Sequence, residues 1–153
     1  MTPEKIALVQ GSFKKVAPIA EPAADIFYDK LFELDPALRS LFPEQMGDQK
    51  KKLMQMLATA VNNLHQVDSV LPAVQELGRR HVAYGITAPM YDTVGAALLF
   101  TLEKGLGDDW TPEVAEAWAE TYGLVAGVMK DAAAEVPVAE AAKKGFLSRM
   151  FAR

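Results

Sequence analysis

The sequence predicts an all-α fold, and two observations support that prediction. Apolar residues recur at intervals of three and four over most of the chain, which is the spacing of one face of an α-helix. No alternation of apolar and polar residues longer than four, as a β-strand would need, interrupts this pattern. With 153 residues, 50% of them hydrophobic, the chain is long enough for one domain with a substantial core.

Prolines near helix starts divide this pattern into successive helices. Segments 2–4 and 111–113 both read Thr-Pro-Glu, which combines a capping hydroxyl, a first-turn proline and an acid that complements the helix dipole. Pro22, Pro36 and Pro89 indicate further starts, and the short helix after Pro36 should end near residue 42. Apolar stripes over 49–64 and 69–84 predict two more helices. Segments 43–48 and 105–109 are predicted loops.

The composition argues against several classes of protein. The formal net charge is −4, which gives no reason to expect a nucleic acid as partner. The absence of cysteine rules out disulfide bonds, iron–sulfur clusters and any metal or pigment held by a thiolate. There is no signal-peptide pattern and no uncharged apolar run of about 18 residues, so the sequence predicts a soluble, cytoplasmic protein.

His81 carries the most chemical information in this sequence. It is one of only two histidines, and helical spacing places it on the apolar face of the helix predicted over 69–84. On spacing alone it could be an ordinary core histidine, but a neutral imidazole nitrogen is also a good ligand for iron. Tyr28, Phe42 and Gln49 would add a phenol, a ring that can stack on a macrocycle and an amide. Together these side chains make up the set expected of a haem pocket.

Short motifs in a fixed order resemble a known family. They are Phe27-Tyr28 before Asp35-Pro36, Leu41-Phe42-Pro43, Gln49 with Leu53, the segment from Leu71 to His81, and Ala117-Trp118 with Tyr122-Gly123. In this order they resemble the single-domain bacterial globins, close to bacterial haemoglobins, the globin domain of flavohaemoglobins and neuroglobin. The resemblance covers about residues 1–136. It implies the globin fold, with helices packed around haem b.

The resemblance also implies roles for individual residues. His81 would bind the iron, and Tyr28 and Gln49 would face the gas ligand. A phenol that donates to negatively charged oxygen contributes about 1.5–3 kcal/mol, so we expect tight oxygen binding. Two cations, Lys52 and Arg80, would pair with the haem propionates. The other positions implied to bind the cofactor are Phe32, Phe42, Leu53, Leu77, Ile86, Tyr91 and Val94.

Two features concern the coordination of the iron. An amide is a poor iron ligand, so Gln49 argues against the bis-histidine coordination of neuroglobin, and His65 is expected at the surface or in a loop. Flavohaemoglobins tie the iron-ligating histidine to a tyrosine and a glutamate. Tyr91 matches that tyrosine, but the glutamate position falls on Ala133. We therefore expect weak peroxidase-like activation of oxygen.

The resemblance implies that the protein binds oxygen, nitric oxide and carbon monoxide, and it leaves several functions open. One is the oxidation of nitric oxide to nitrate, with an external reductase because the chain has no flavin domain of its own. Another is oxygen storage or transport without turnover. A third is a haem-based gas sensor, or a haem-free globin used for interaction. A monomer or weak homodimer is expected.

The last 17 residues, 137–153, form a second segment that the resemblance does not explain. They carry a net charge of +3, while the remainder of the chain carries −7. Phe146, Leu147, Met150 and Phe151 would share one face of a helix. This pattern is that of a basic amphipathic tail making weak contact with an anionic membrane surface or a partner. The alternative is a frayed extension of the preceding helix.

Overall fold

Six α-helices make up most of residues 1–136, the part of the chain that the computed structural model describes. They are α1 (Pro3–Val16), α2 (Ala20–Leu34), α3 (Gly47–Asn62), α4 (Val67–Ala83), α5 (Ala88–Leu106) and α6 (Pro112–Ala133). Short 3₁₀ helices lie at Ala17–Ile19, Pro36–Leu41, Leu64–Gln66 and Gly107–Asp109. No strand occurs within this described range, so the all-α prediction is confirmed. The predicted basic tail, 137–153, lies outside it.

Helix starts follow the capping residues that the sequence predicts. The side chain of Thr2 accepts a hydrogen bond from the Lys5 amide at 3.2 Å, and that of Thr111 accepts one from the Val114 amide at 3.2 Å. Both threonines have extended backbones and are followed by proline, which suits the first turn because its missing N–H would have no helical partner.

Several helix boundaries differ from the prediction. Helix α3 begins at Gly47, within the predicted loop 43–48, and ends at Asn62 rather than at residue 64. The prediction that a loop begins at Gly105 is wrong, because α5 continues through Leu106, whose side chain is buried in the core. The next residue, Gly107, caps this helix and has a φ of +55°. Helix α4 begins at Val67 rather than at Ser69. The Ser69 hydroxyl donates to the Gln66 carbonyl at 2.7 Å, so this serine closes the first turn from inside the helix.

The helices pack mainly as three pairs, α4 on α6, α2 on α5 and α1 on α6. Across α1 and α6, the buried Trp118 indole donates to the Ser12 hydroxyl at 2.8 Å. Gly78 allows α4 to approach the backbone of α6, because a Cβ atom there would lie 2.6 Å from the Cα of Met129. No helix within the described range is long and apolar enough to cross a membrane.

Helices α3 and α4 bury far less than their neighbours. Each contains a single buried residue, Val61 in α3 and Gly78 in α4, whereas α5 contains seven. Both helices nevertheless have an apolar face, made in α4 by residues such as Val74 and Leu77, which are only partly buried. These two faces could therefore bury further apolar surface against a bound group.

Candidate functional site

Aromatic side chains from α2 and the following turn surround Tyr28. This tyrosine is 3% exposed, and its ring centroid lies 4.9 Å from that of Phe27, 6.0 Å from Phe32 and 5.6 Å from Phe42. Phe32 and Phe42 are 5.5 Å apart and meet edge to face. Three residues that the sequence analysis singled out are thus packed into one aromatic cluster.

Gln49 completes this cluster from the first turn of α3. Its Nε2 donates a hydrogen bond to the Tyr28 hydroxyl at 3.2 Å. Burial raises the pKa of Tyr28, and the hydrogen bond from Gln49 lowers it by less, so the phenol stays protonated at neutral pH. The hydroxyl accepts from the amide and keeps its own proton. Within residues 1–136 no acceptor for that proton is found.

Leu53 lies one turn beyond Gln49 on α3 and packs against the main core. It lines an apolar cavity of about 10 Å³ together with Phe27 and Leu98. Val94, on α5, also packs against this core. Both residues therefore pack against the same hydrophobic core to which Tyr28 belongs.

His81 lies in the last turn of α4 and is partly buried. Its Nδ1 is 2.7 Å from the carbonyl oxygen of Leu77. Because a carbonyl oxygen can only accept, Nδ1 carries the proton and Nε2 keeps a lone pair. Burial lowers the pKa of His81, and the Leu77 hydrogen bond raises it by less, so the ring favours the neutral form. A neutral imidazole with a lone pair on one nitrogen is what a metal needs.

The end of α4 fixes the backbone of His81. Gly85 has a φ of +88°, in the left-handed region that glycine adopts most readily. Its N–H donates to the Val82 carbonyl at 3.0 Å, and the N–H of Ile86 donates to the His81 carbonyl at 3.0 Å. This pair of bonds closes a helix in the Schellman motif. It turns Ile86 back against a second, smaller core.

Tyr91 belongs to that second core, which also contains Ala126 and Met129. Its ring centroid lies 6.4 Å from that of His81. The Tyr91 hydroxyl is buried and has no hydrogen-bond partner within the described residues. A buried hydroxyl without a partner costs about 1–3 kcal/mol, so a polar partner for this atom would stabilise the site.

Two cations expected at the cofactor lie at the surface. Lys52 is exposed on α3, and the Nε of Arg80 is 3.7 Å from the Glu76 carboxylate. Both side chains are exposed. His65 is exposed in the turn after α3, where its Nε2 is 3.0 Å from the Gln66 amide nitrogen, as expected of a surface residue.

No carboxylate bonds to His81 in the described part of the chain. Ala133 occupies the end of α6, and Glu135 instead lies 3.5 Å from Arg79. The ring proton of His81 is held by a neutral carbonyl, which makes an imidazole a weaker electron donor than a carboxylate would. Weak peroxidase-like activation of oxygen stays a prediction.

Two residues of the site were missed in the sequence. Tyr122 donates to the Tyr91 carbonyl at 2.6 Å and lies against Gly95, where a Cβ would be 2.8 Å from the ring. Arg39 hydrogen-bonds to three carbonyl groups around Phe42. Tyr122 was signalled by the Tyr122-Gly123 motif, which gave it no role in the site, whereas the only signal for Arg39 was its position one turn before Phe42.

Comparison with known proteins identifies the family. A family model described as Globin matches residues 25–129, and the chain belongs to the globin family. It is 31% identical over 134 residues to a flavohemoprotein of Bacillus subtilis (strain 168), with 82% of this chain aligned. The alignment covers 33% of that protein, so the chain spans about a third of the length of this curated relative.

Solved structures agree on the fold. A bacterial globin from Campylobacter jejuni superposes with a TM-score of 0.78 at 23% identity, covering 88% of this chain and 97% of that one. An engineered carbene transferase, a putative nitric oxide dioxygenase from Rhodothermus marinus, gives 0.80 at 24% identity, with 88% and 94% covered. The predicted globin fold is therefore confirmed.

The residues of the site fit the haem that globins bind. The half-buried faces of α3 and α4 offer apolar surface, and His81 offers an imidazole lone pair. The ring centroid of Tyr91, whose buried hydroxyl has no partner within residues 1–136, lies 6.4 Å from that of the imidazole. Family and site together make this protein a haem globin.

Proposed function

We propose that the protein binds haem b and uses it to oxidise nitric oxide to nitrate with molecular oxygen. The observation that carries the proposal is the hydrogen bond from Gln49 to the Tyr28 hydroxyl, at 3.2 Å. It leaves a buried, protonated phenol whose proton has no acceptor within the described residues. Such a donor suits a ligand that acquires negative charge, as oxygen does on ferrous haem.

The cofactor contacts that we propose are those inferred from the sequence. His81 would hold the iron through Nε2, and Phe42 would stack on the macrocycle. When bound, haem would supply a redox-active iron that binds oxygen and nitric oxide. Further residues proposed to contact the cofactor are Phe32, Lys52, Leu53, Leu77, Arg80, Ile86, Tyr91 and Val94.

The chain's own residues would act on the ligand by hydrogen bonding and exclusion of water. The Tyr28 hydroxyl would donate to oxygen, while Gln49 orients that hydroxyl by donating to it. The surrounding rings of Phe27, Phe32 and Phe42 keep the phenol away from solvent. A hydrogen bond in such a dry site is stronger than the same bond in water. It would hold oxygen in place until nitric oxide arrives.

Nitrate formation combines one nitric oxide, one oxygen and one electron. We propose that a flavin-containing reductase supplies that electron, since the Bacillus relative is named a flavohemoprotein. The neighbour from Rhodothermus marinus, a putative nitric oxide dioxygenase, supports the same activity. The alternatives are gas sensing and the binding of oxygen for storage or transport without turnover. Storage or transport is favoured because no carboxylate bonds to His81 within residues 1–136.

A single-turnover experiment followed by an attempt to restart the reaction with a reductase tests this activity. The reduced protein is saturated with oxygen, mixed with nitric oxide, and analysed for nitrate. We expect one nitrate per haem, followed by arrest. NADH alone should not restart the reaction, whereas NADH with an added flavin reductase should. Absence of nitrate above a protein-free control would contradict the proposed activity and leave oxygen binding as the function.

A further inference from the structure

We propose that Arg39 is a positioning residue that holds Phe42 and the segment 42–44 in place, so that the protein retains its haem. Arg39 belongs to no set of residues that the family resemblance singled out. The inference rests on the proposed contact between Phe42 and haem. It concerns how the chain keeps that contact, whatever reaction the haem performs.

The guanidinium group of Arg39 donates hydrogen bonds to three backbone carbonyls. One terminal nitrogen donates to the carbonyls of Phe42 and Pro43, at 3.3 and 2.9 Å, and the other donates to that of Glu44 at 2.9 Å. In return, the carbonyl of Arg39 accepts from the Phe42 amide at 3.2 Å. The planar, forked guanidinium can reach several acceptors at once, whereas an ammonium group acts as a point donor.

This segment has little else in its own backbone to hold it. Pro43 favours an extended conformation at Phe42, whose φ and ψ are −114° and 155°, and so ends the short 3₁₀ helix there. Residues 43–46 then belong to no helix. The conformation of segment 42–44 therefore depends on hydrogen bonds made by side chains, of which Arg39 supplies three.

Arg39 also links this segment to the aromatic cluster. Its guanidinium carbon lies 5.5 Å from the ring centroid of Phe32, within the range of a cation–π contact. Phe32 in turn lies 5.5 Å from Phe42 and 6.0 Å from Tyr28. One arginine thus fixes the backbone of Phe42 and contacts the ring against which Phe42 packs.

The test compares Arg39→Met with the wild-type protein, both as full chains loaded with haem. Haem loss is timed by transfer to an excess of a haem-scavenging apoglobin. We expect loss to be about tenfold faster in the variant, because several charge-assisted hydrogen bonds are removed. The C–O stretching band of the carbon monoxide complex should broaden, because Phe42 packs against Tyr28. Lys15→Met is the matched control, since it removes a surface cation that pairs with Asp109 at 3.1 Å.

Rescue separates positioning from a general loss of stability. Arg39→Ala with added guanidinium ion should recover slow haem loss and the narrow C–O band, whereas methylammonium should not restore them. Arg39→Lys, which keeps the charge but lacks the fork, should lie between the two extremes. The inference would be overturned if Arg39→Met lost haem at a rate within twofold of wild type. It would also be overturned if this variant had a less stable apoprotein but an unchanged C–O band. Failure of the wild-type protein to take up haem would instead overturn the proposed function.

Discussion

Removing one oxygen atom from Tyr28 tests the central feature of the site. Tyr28→Phe keeps the ring and therefore keeps its packing against Phe27, Phe32 and Phe42. It removes the hydroxyl that accepts from Gln49 at 3.2 Å and whose own proton would be donated to oxygen. The change is thus confined to hydrogen bonding, and any effect on gas binding can be assigned to it.

The magnitude follows from the environment of the hydroxyl. Tyr28 is 3% exposed, so water cannot replace the lost donor. Hydrogen bonds to charged acceptors contribute about 1.5–3 kcal/mol, and 1.4 kcal/mol corresponds to about tenfold in an equilibrium constant. We therefore expect oxygen to dissociate about ten- to a hundredfold faster from Tyr28→Phe. Carbon monoxide carries less charge when bound and should be affected much less.

Gln49 provides the second arm of the experiment. Because its amide donates to the hydroxyl, Gln49→Leu should raise oxygen dissociation by a smaller factor, about two- to tenfold for a neutral hydrogen bond. In the Tyr28→Phe background the same change should have little further effect, since the hydroxyl it orients is gone.

Stopped-flow displacement measures both rates in this experiment, with carbon monoxide displacing oxygen and nitric oxide displacing carbon monoxide. Equal acceleration of both gases in Tyr28→Phe would refute the reasoning, because it would mean that the pocket acts by shape alone.

Three further predictions concern the helix that carries the imidazole. His81→Ala should lose haem, with added imidazole restoring the absorption spectrum, whereas His65→Ala should leave the spectrum unchanged; an intact Soret band in the first variant would contradict this assignment. Gly78→Ala should lower the free energy of unfolding, measured by urea titration, by about 1–3 kcal/mol because its Cβ would overlap the α6 backbone. Gly127→Ala is the control and should be neutral or stabilising, since no atom lies within 4 Å of a Cβ at that position. Burial lowers the pKa of His81, so the unfolded chain binds its proton more readily. The stability of the apoprotein should therefore decrease below about pH 6.5, and less so in His81→Ala.

Much of the helical framework could be predicted from the sequence alone, because helix formation and capping depend on residues a few positions apart. The Thr-Pro-Glu starts at 2–4 and 111–113 worked as expected, since a capping side chain bonds to an amide three residues on. Helix boundaries that depend on tertiary packing were harder to predict from the sequence. Helix α5 runs past Gly105 because Leu106 is buried against distant residues, and no local pattern reports that burial.

The sequence also determined the chemical types present at the site, and the family resemblance assigned them roles. Whether those side chains meet is a matter of tertiary structure. Gln49 and Tyr28 are 21 residues apart, and only the packing of α3 on α2 brings the amide to the phenol. The hydrogen bonds from Arg39 to three backbone carbonyls were likewise not evident from the sequence. A charged side chain can reach many partners, and the fold alone selects among them by distance and burial.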